Sequence, residues 1–393
     1  MLNPNTNERE LAYLVTINEL RPIEGYDRVE HARVGGWWVI VKKDQFKVGD
    51  NAIYIEVDSK VPEKEPFMFL EKRKFKVKTL KMCKVISQGL LMKPADFGWK
   101  NDEVSVGDFL TEKLGITYAE AEDNKRKAPS ADKYKLMAQR NGKLFAKQPF
   151  RWLMRRKWGK KLLFIFFGRK KDKKNGWPAW VAKTDEERCQ NMPWLFPGNP
   201  EEEWIATEKV DGTSTTFTMK GFGRGRKFFI CSRNVVFDKP NKNCYYDTNV
   251  YIEMAEKYNI EKVLEEILSR YSAVCNFITI QGETYGATVQ KRDYGLEGKD
   301  FKAFNVILGY ENGHTERLNP IAMKELLDEF NIPTVDIVDE HFKIPETCEQ
   351  LLALAGGPSA IDGGMREGLV FRSYDGAKSF KAVDNNFLLK YHG

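Results

Sequence analysis

Between Ala12 and Met92 the chain consists of short runs with strand character, AYLVTI, RVEHARV, WWVIVK, NAIYIEV and FKVKTLKMCKVI, separated by turn signals such as Gly35-Gly36 and Gly49-Asp50. Five strands at this spacing predict a small closed barrel, because short strands bury an apolar face only by closing on one another. An OB-fold and an SH3-like barrel are the two closures that fit, and both serve as nucleic-acid platforms. A barrel that only scaffolds its neighbour fits the same pattern, since fold does not fix function.

At 393 residues the chain exceeds what one core usually organises, so a second unit is expected. From Trp204 onward, strand-like runs (TSTTFTM, KFFICS, FITIQGE, FKAFNVIL, GLVFRS, SFKAV) alternate with helical stretches around Tyr251 to Tyr271 and Ile321 to Phe330. That alternation predicts an α+β domain with antiparallel sheet. Between the two units, Lys125 to Lys174 holds nineteen Lys and Arg against Asp132 and Asp172. This segment carries +17 in a chain whose total is +7, which leaves −10 on the remainder. Such concentration is the footprint of a polyanion binder. Within it, LLFIFFG (Leu162 to Gly168) is apolar but far shorter than the roughly 20 residues a bilayer span needs. Its basic flanks leave interfacial membrane binding open, although packing on a domain is the commoner outcome. No membrane partner is expected.

The amino terminus lacks a basic region followed by an apolar run, so a cytoplasmic protein is expected. Six scattered cysteines form no C-x-x-C pair and read as reduced thiols. With only four histidines, chemistry must fall mainly to Lys, Arg, Asp and Glu.

The first chemical clue is EKVDGTS, Glu208 to Ser214. Alone it is weak, since K-x-D-G arises by chance in such a chain on the order of one time in ten. An ordered series follows it: CSRN (Cys231 to Asn234), QGETYG (Gln281 to Gly286), KAFNVI (Lys302 to Ile307), REGLVFR (Arg366 to Arg372) and SFKAV (Ser379 to Val383). This set resembles the covalent nucleotidyltransferase superfamily of ATP-dependent ligases and capping enzymes, from about Lys183 to the carboxyl end. The stretch GETYGATVQKRDYGLEGKDFKAF further resembles RNA ligases of the phage RNA-ligase-2 type, and KTDEERCQNMPW ahead of the lysine has the same character. With the barrel in front, the whole looks like the OB-first, Deinococcus-type RNA ligase family. The resemblance implies an OB-like β-barrel over residues 1–112, a basic insertion or linker over 113–182 and a nucleotidyltransferase domain over 183–393.

The resemblance also implies the roles. Lys209 is the nucleophile that takes AMP from ATP, and Asp211 and Gly212 shape the turn presenting it. Lysine is protonated at pH 7 and cannot attack phosphorus, so Arg372, Lys381 and a divalent metal are expected to depress its pKa and gather the α-phosphate. Glu283 is expected to accept from the ribose, Phe304 to stack on adenine and Val370 to close the other face, with Glu208 also in the nucleotide pocket. Glu283 and Glu367 would hold Mg²⁺ or Mn²⁺ through its waters, since carboxylate and water suit these ions. Arg233 would meet the terminal nucleotide of the acceptor strand. Asn305 and Val383 depart from the family pattern, which often carries Asp and a second Lys there, and Lys390 is a candidate to compensate.

The expected activity is ATP-dependent sealing of 3′-hydroxyl and 5′-phosphate RNA ends through a lysyl-AMP intermediate, at nicks in duplex RNA or an RNA/DNA hybrid, in the manner of RNA repair and by a monomer. The chain stops ten residues after the last motif, which counts against a DNA ligase or a GTP-using capping enzyme, whose OB domain follows the catalytic one. A non-catalytic nucleic-acid binder is the rival from another class, and retention of Lys209, Glu283, Glu367 and Lys381 argues against it.

Overall fold

A computed structural model describes residues 1–3, 9–100, 103–119, 147–154, 156–167, 177–233, 235–237 and 249–392. The amino-terminal barrel comprises β1 (Ala12–Thr16), β2 (Glu19–Ile23), β3 (Tyr26–Val34), β4 (Trp37–Lys42), β5 (Asn51–Ile55), β6 (Ser59–Lys60), β7 (Lys76–Val77), β8 (Thr79–Met82), β9 (Val85–Gln88), β10 (Leu90–Met92) and β11 (Thr117–Tyr118). Pairing is antiparallel throughout, in the orders β1-β5-β10, β2-β3-β4, β8-β9 and β11-β6-β7. The period of two is explicit in β4, where Trp37, Val39 and Val41 are buried and Trp38 and Ile40 are half-buried. Central β5 is buried on both faces: Ile53 and Ile55 join a cluster with Leu14, Phe67 and Leu110, and Tyr54 joins one with Trp37 and Val39.

Two departures from the predicted strands have local causes. FKVKTLKMCKVI is not one strand, because Cys83 (φ +52°) and Lys84 (φ +65°) turn the chain so that Met82 pairs with Val85. A tight two-residue turn normally advertises itself with Asn or Gly, and here neither is present. Strand β2 carries Pro22 and went unpredicted; it lies at the edge of its sheet, where a missing donor is tolerated.

The second unit holds two antiparallel sheets. One has the order β19-β12-β20-β21, from β12 (Trp204–Lys209), β19 (Ile337–Phe342), β20 (Gly368–Arg372) and β21 (Ser379–Val383). The other has the order β15-β14-β13-β16-β17-β18, from β13 (Thr213–Lys220), β14 (Lys227–Cys231), β15 (Val236–Phe237), β16 (Cys275–Gly286), β17 (Lys299–Tyr310) and β18 (Thr315–Arg317). Phe217, Ile278 and Leu308 of the larger sheet pack on helices Val250–Lys257, Ile260–Arg270 and Pro320–Asp328. Trp204, Phe371 and Phe380 of the smaller one pack on helix Cys348–Ala355. The helical stretch expected from Tyr251 to Tyr271 is two helices, split at Asn259, whose φ of +48° cannot continue a right-handed helix.

The two units meet on the segment from Asp185 to Asn191. Asn191 accepts from Trp37 Nε1 at 2.6 Å and donates to Glu56 and Glu187, each at 2.8 Å. Gly36 donates its N–H to Gln190 at 2.9 Å. A Cβ at Gly36 would stand 2.7 Å from Gln190 Cα and 2.9 Å from Cys348 Sγ, so the junction closes only over glycine. Burial by itself would raise the Glu56 carboxyl, but the Met1 ammonium, Arg9 and the Asn191 amide hold it down at about 2.

Most of Lys125–Lys174, singled out for its charge, lies outside the described residues. Helices Gln148–Met154 and Lys157–Phe167 are described, and Arg156 lies 4.2 Å above the Trp152 ring. Among the described residues no helix is long and apolar enough to cross a membrane.

Candidate active site

The chain passes from the smaller sheet to the larger one through three residues, and the chemistry gathers there. Lys209 ends β12 opposite Gly368, so Glu367, immediately before β20, lies beside it. The Nζ of Lys209 donates to Glu367 Oε2 at 2.7 Å. Val210, Asp211 and Gly212 form the crossing, and Ser214 then pairs with Glu283 of β16. A Cβ on Gly212 would lie 2.3 Å from the Thr284 carbonyl oxygen, which explains the glycine of the motif. Tyr294 accepts the Asp211 N–H at 2.7 Å, and Gln290 donates to the Gly212 carbonyl at 3.0 Å. These two residues fix the turn, yet no role was assigned to them from sequence although both stand in the GETYG to KAF stretch.

Lys209, Asp211, Glu283 and Glu367 interact as one electrostatic group. Burial works to lower the Lys209 pKa, but Glu367, Glu283 and Asp211 outweigh it and raise the ammonium above its ordinary range. Of the three charges expected to depress it, Arg372, Lys381 and a divalent metal, the two that the chain supplies are themselves engaged by acids. Lys381 lies 3.0 Å from Asp185, and Arg372, only 2% exposed, lies 3.1 Å from Glu186. Burial and the nearby cations Arg9, Arg188 and Lys209 bring Lys381 down to about 8 in spite of Asp185. Burial likewise raises Glu283 to about 8, helped by Glu367 and Asp211 and opposed by Lys209.

Asp185 is bound by three cations, Arg9 at 3.0 Å, Arg233 at 2.8 Å and Lys381 at 3.0 Å, which hold its carboxyl well below the usual range. Arg188 reaches Asp58 of the barrel at 3.2 Å. None of Arg9, Asp58, Asp185, Glu186 or Arg188 was singled out from sequence. The available signal was the cluster of charge in TDEER, upstream of the strand that carries Lys209.

The apolar wall involves Phe304. Gln281 pairs with Asn305 but Gly282 pairs with Ala303, so Phe304 is the extra residue of a β-bulge. A bulge re-aims a side chain that a regular strand would alternate into the sheet. Phe304 is half-buried and packs with Val210, Tyr294, Val335 and Ile361. Val370 is also half-buried, facing Lys381 in register. The Glu208 carboxylate is engaged by Ser359 Oγ at 2.6 Å and Ala360 N at 2.7 Å, so it anchors the loop before Glu367. Asn305 donates to Gln281 at 2.8 Å, and Val383 is buried. Lys390 is exposed, its Nζ 5.0 Å from the centre of the Tyr391 ring. His392 instead approaches, its Nε2 3.5 Å from Asp211 Oδ1.

Residues 202–392 match the RNA ligase family, and residues 11–94 match an OB-fold domain. Among solved structures the chain is similar to Naegleria gruberi RNA ligase with pyrophosphate, at 26% identity over 97% of this chain and 98% of that one, with a TM-score of 0.71. It is similar to a mutant of the same enzyme with ATP and Mn at 26% identity, covering 98% of this chain and 100% of that one, with a TM-score of 0.73. A mutant with AMP and Mn gives 27% identity, 98% and 99% coverage and a TM-score of 0.71. No curated protein sequence matches the chain. The OB-fold reading of the barrel therefore holds over the SH3-like alternative, and residues 202–392 form a domain of the RNA ligase family, with the OB-fold domain placed ahead of it.

Proposed function

We propose that this RNA ligase uses ATP to adenylylate Lys209 and seals a 3′-hydroxyl to a 5′-phosphate at nicks whose 3′-hydroxyl strand is RNA. The observation that carries the reading is the placement of Lys209 between Glu367 and Glu283 at the crossing of two sheets, in a chain similar over nearly its whole length to an RNA ligase seen with ATP and Mn.

In the first step the unprotonated Lys209 amine attacks the α-phosphorus of ATP, a P–N bond forms and pyrophosphate leaves. Glu283, near 8, is a carboxyl able to hold a proton around neutrality, beside an ammonium that must lose one. Lys381 and Arg372 are the cations available to the α-phosphate once their acidic partners yield. AMP then passes from Lys209 to the 5′-phosphate, breaking the P–N bond and forming a phosphoanhydride. The 3′-hydroxyl displaces AMP and leaves a phosphodiester. Phe304 and Val370 would flank adenine, with Arg233 toward the acceptor strand.

Glu283 and Glu367 fit a hard divalent cation: Glu283 is half-buried and Glu367 buried, both carboxyls are raised by desolvation and by the neighbouring Asp211 carboxylate, and Asp211 Oδ2 is buried without a partner among the described residues. Among the described residues no group of three or more His, Cys, Asp and Glu side chains encloses a metal, so these two would act through coordinated water. When bound, Mg²⁺ or Mn²⁺ supplies charge neutralisation at the α-phosphate and favours the neutral amine. The test is incubation with labelled ATP and divalent metal, then a chase with nicked duplex RNA. A labelled protein that releases AMP as the nick closes is expected, with no label on Lys209→Ala. Equal labelling of that variant would overturn the assignment.

A further inference from the structure

One basic feature of the barrel has no part in that chemistry. From Glu71 to Lys84 the chain holds seven cations and one acid, whereas from Arg9 to Leu70 nine cations face eleven acids. The segment is built on a strand edge: Val77 and Thr79 are buried, and Lys76 and Lys78 alternate with them on the outer side, about 6.6 Å apart. Lys72, Arg73, Lys81 and Lys84 are exposed.

One end of this edge abuts the catalytic cleft, and the other is joined to it across two strands. Strand β7 pairs with β6 and β6 with β11, whose Tyr118 lies 5.0 Å beneath the Arg233 guanidinium. At the other end β8 packs against the turn Leu388–His392, which brings His392 to Asp211. The cations inside the cleft are matched by Asp185 and Glu186, but this outer line of charge exceeds the acids of its own segment. ATP, enclosed near Lys209, does not need it.

We propose that the barrel edge formed by residues 72–84 is the track on which the phosphates of an RNA duplex lie while its nick sits over Lys209, an inference that rests on the RNA ligase reading. A polynucleotide fits because it offers regularly spaced anions along a line, and each neutralised phosphate releases condensed counterions.

The test uses the full-length protein and two variants, Lys81→Gln with Lys84→Gln, and Lys72→Gln with Arg73→Gln. Binding of a nicked RNA duplex is measured across a salt series, with Lys209 adenylylation and sealing at low RNA concentration. Each pair is expected to flatten the log-log salt slope by about 2, at roughly 0.9 per lost phosphate contact, and to slow sealing by about tenfold. Adduct formation should stay at the wild-type level. Unchanged slope and sealing in both variants would overturn the proposal, as would lost binding to anionic vesicles with RNA binding intact. If one pair loses the adduct, and so its fold, the other pair decides. Wild-type protein that binds RNA but forms no adduct would instead overturn the ligase reading.

Discussion

Lys209 donates to Glu367 at 2.7 Å, so the proposed nucleophile rests as an ion pair. Glu367→Gln removes the carboxylate that does most to raise the ammonium pKa. Competitive labelling of Lys209 by an amine reagent across pH, without metal, should give a lower midpoint in the variant. An unmoved midpoint would mean that Glu367 does not control the proton.

Phe304→Ala should raise the KM for ATP by about fivefold to 150-fold, corresponding to about 1–3 kcal/mol of lost base stacking. Phe304→Leu should fall between, since part of the apolar contact survives. The check is adenylylation rate against ATP concentration. Normal kinetics in both folded variants would leave Phe304 as core alone.

Glu56 links acid stability to the junction. Its folded value is about 2 against an ordinary 4.5, so its contribution is fully present above pH 4.5 and is lost as pH falls toward 2. The loss amounts to about 3 kcal/mol. Wild type should therefore lose more stability than Glu56→Gln between these limits, read as the shift of the urea midpoint. Equal losses would remove Glu56 from the junction's energetics.

Replacing the two nucleotides at the 3′-hydroxyl side of an RNA nick with deoxynucleotides should slow sealing, because a 2′-hydroxyl is what separates RNA from DNA at a site. Equal rates on the two nicks would mean that the acceptor strand is not read through its 2′-hydroxyls.

The strands of the barrel and the nucleophile turn were legible because each depends on local pattern: alternation in WWVIVK, or a glycine two residues after a valine that must cross between sheets. What stayed hidden depends on partners distant in sequence. The bulge at Phe304 follows from register against Gln281 and Gly282, which no single strand displays. Asp185 looks like a surface acid until folding brings Arg9 and Lys381 to it from opposite ends of the chain. Motif order likewise names the neighbours of Lys209 but not which of them are already paired.

Asp185 is held by Arg9 and by Lys381 at once, one cation from the leading segment and one from the last strand of the ligase domain. A phosphate that takes Lys381 from Asp185 also alters what Arg9 holds. Thermodynamic reciprocity then requires that the factor by which nucleotide alters the barrel's grip on residue 185 equals the factor by which the barrel alters nucleotide binding. Asp185 thus belongs to both units, alongside Arg188 and Asn191, whose bonds to Asp58 and Glu56 close the same boundary.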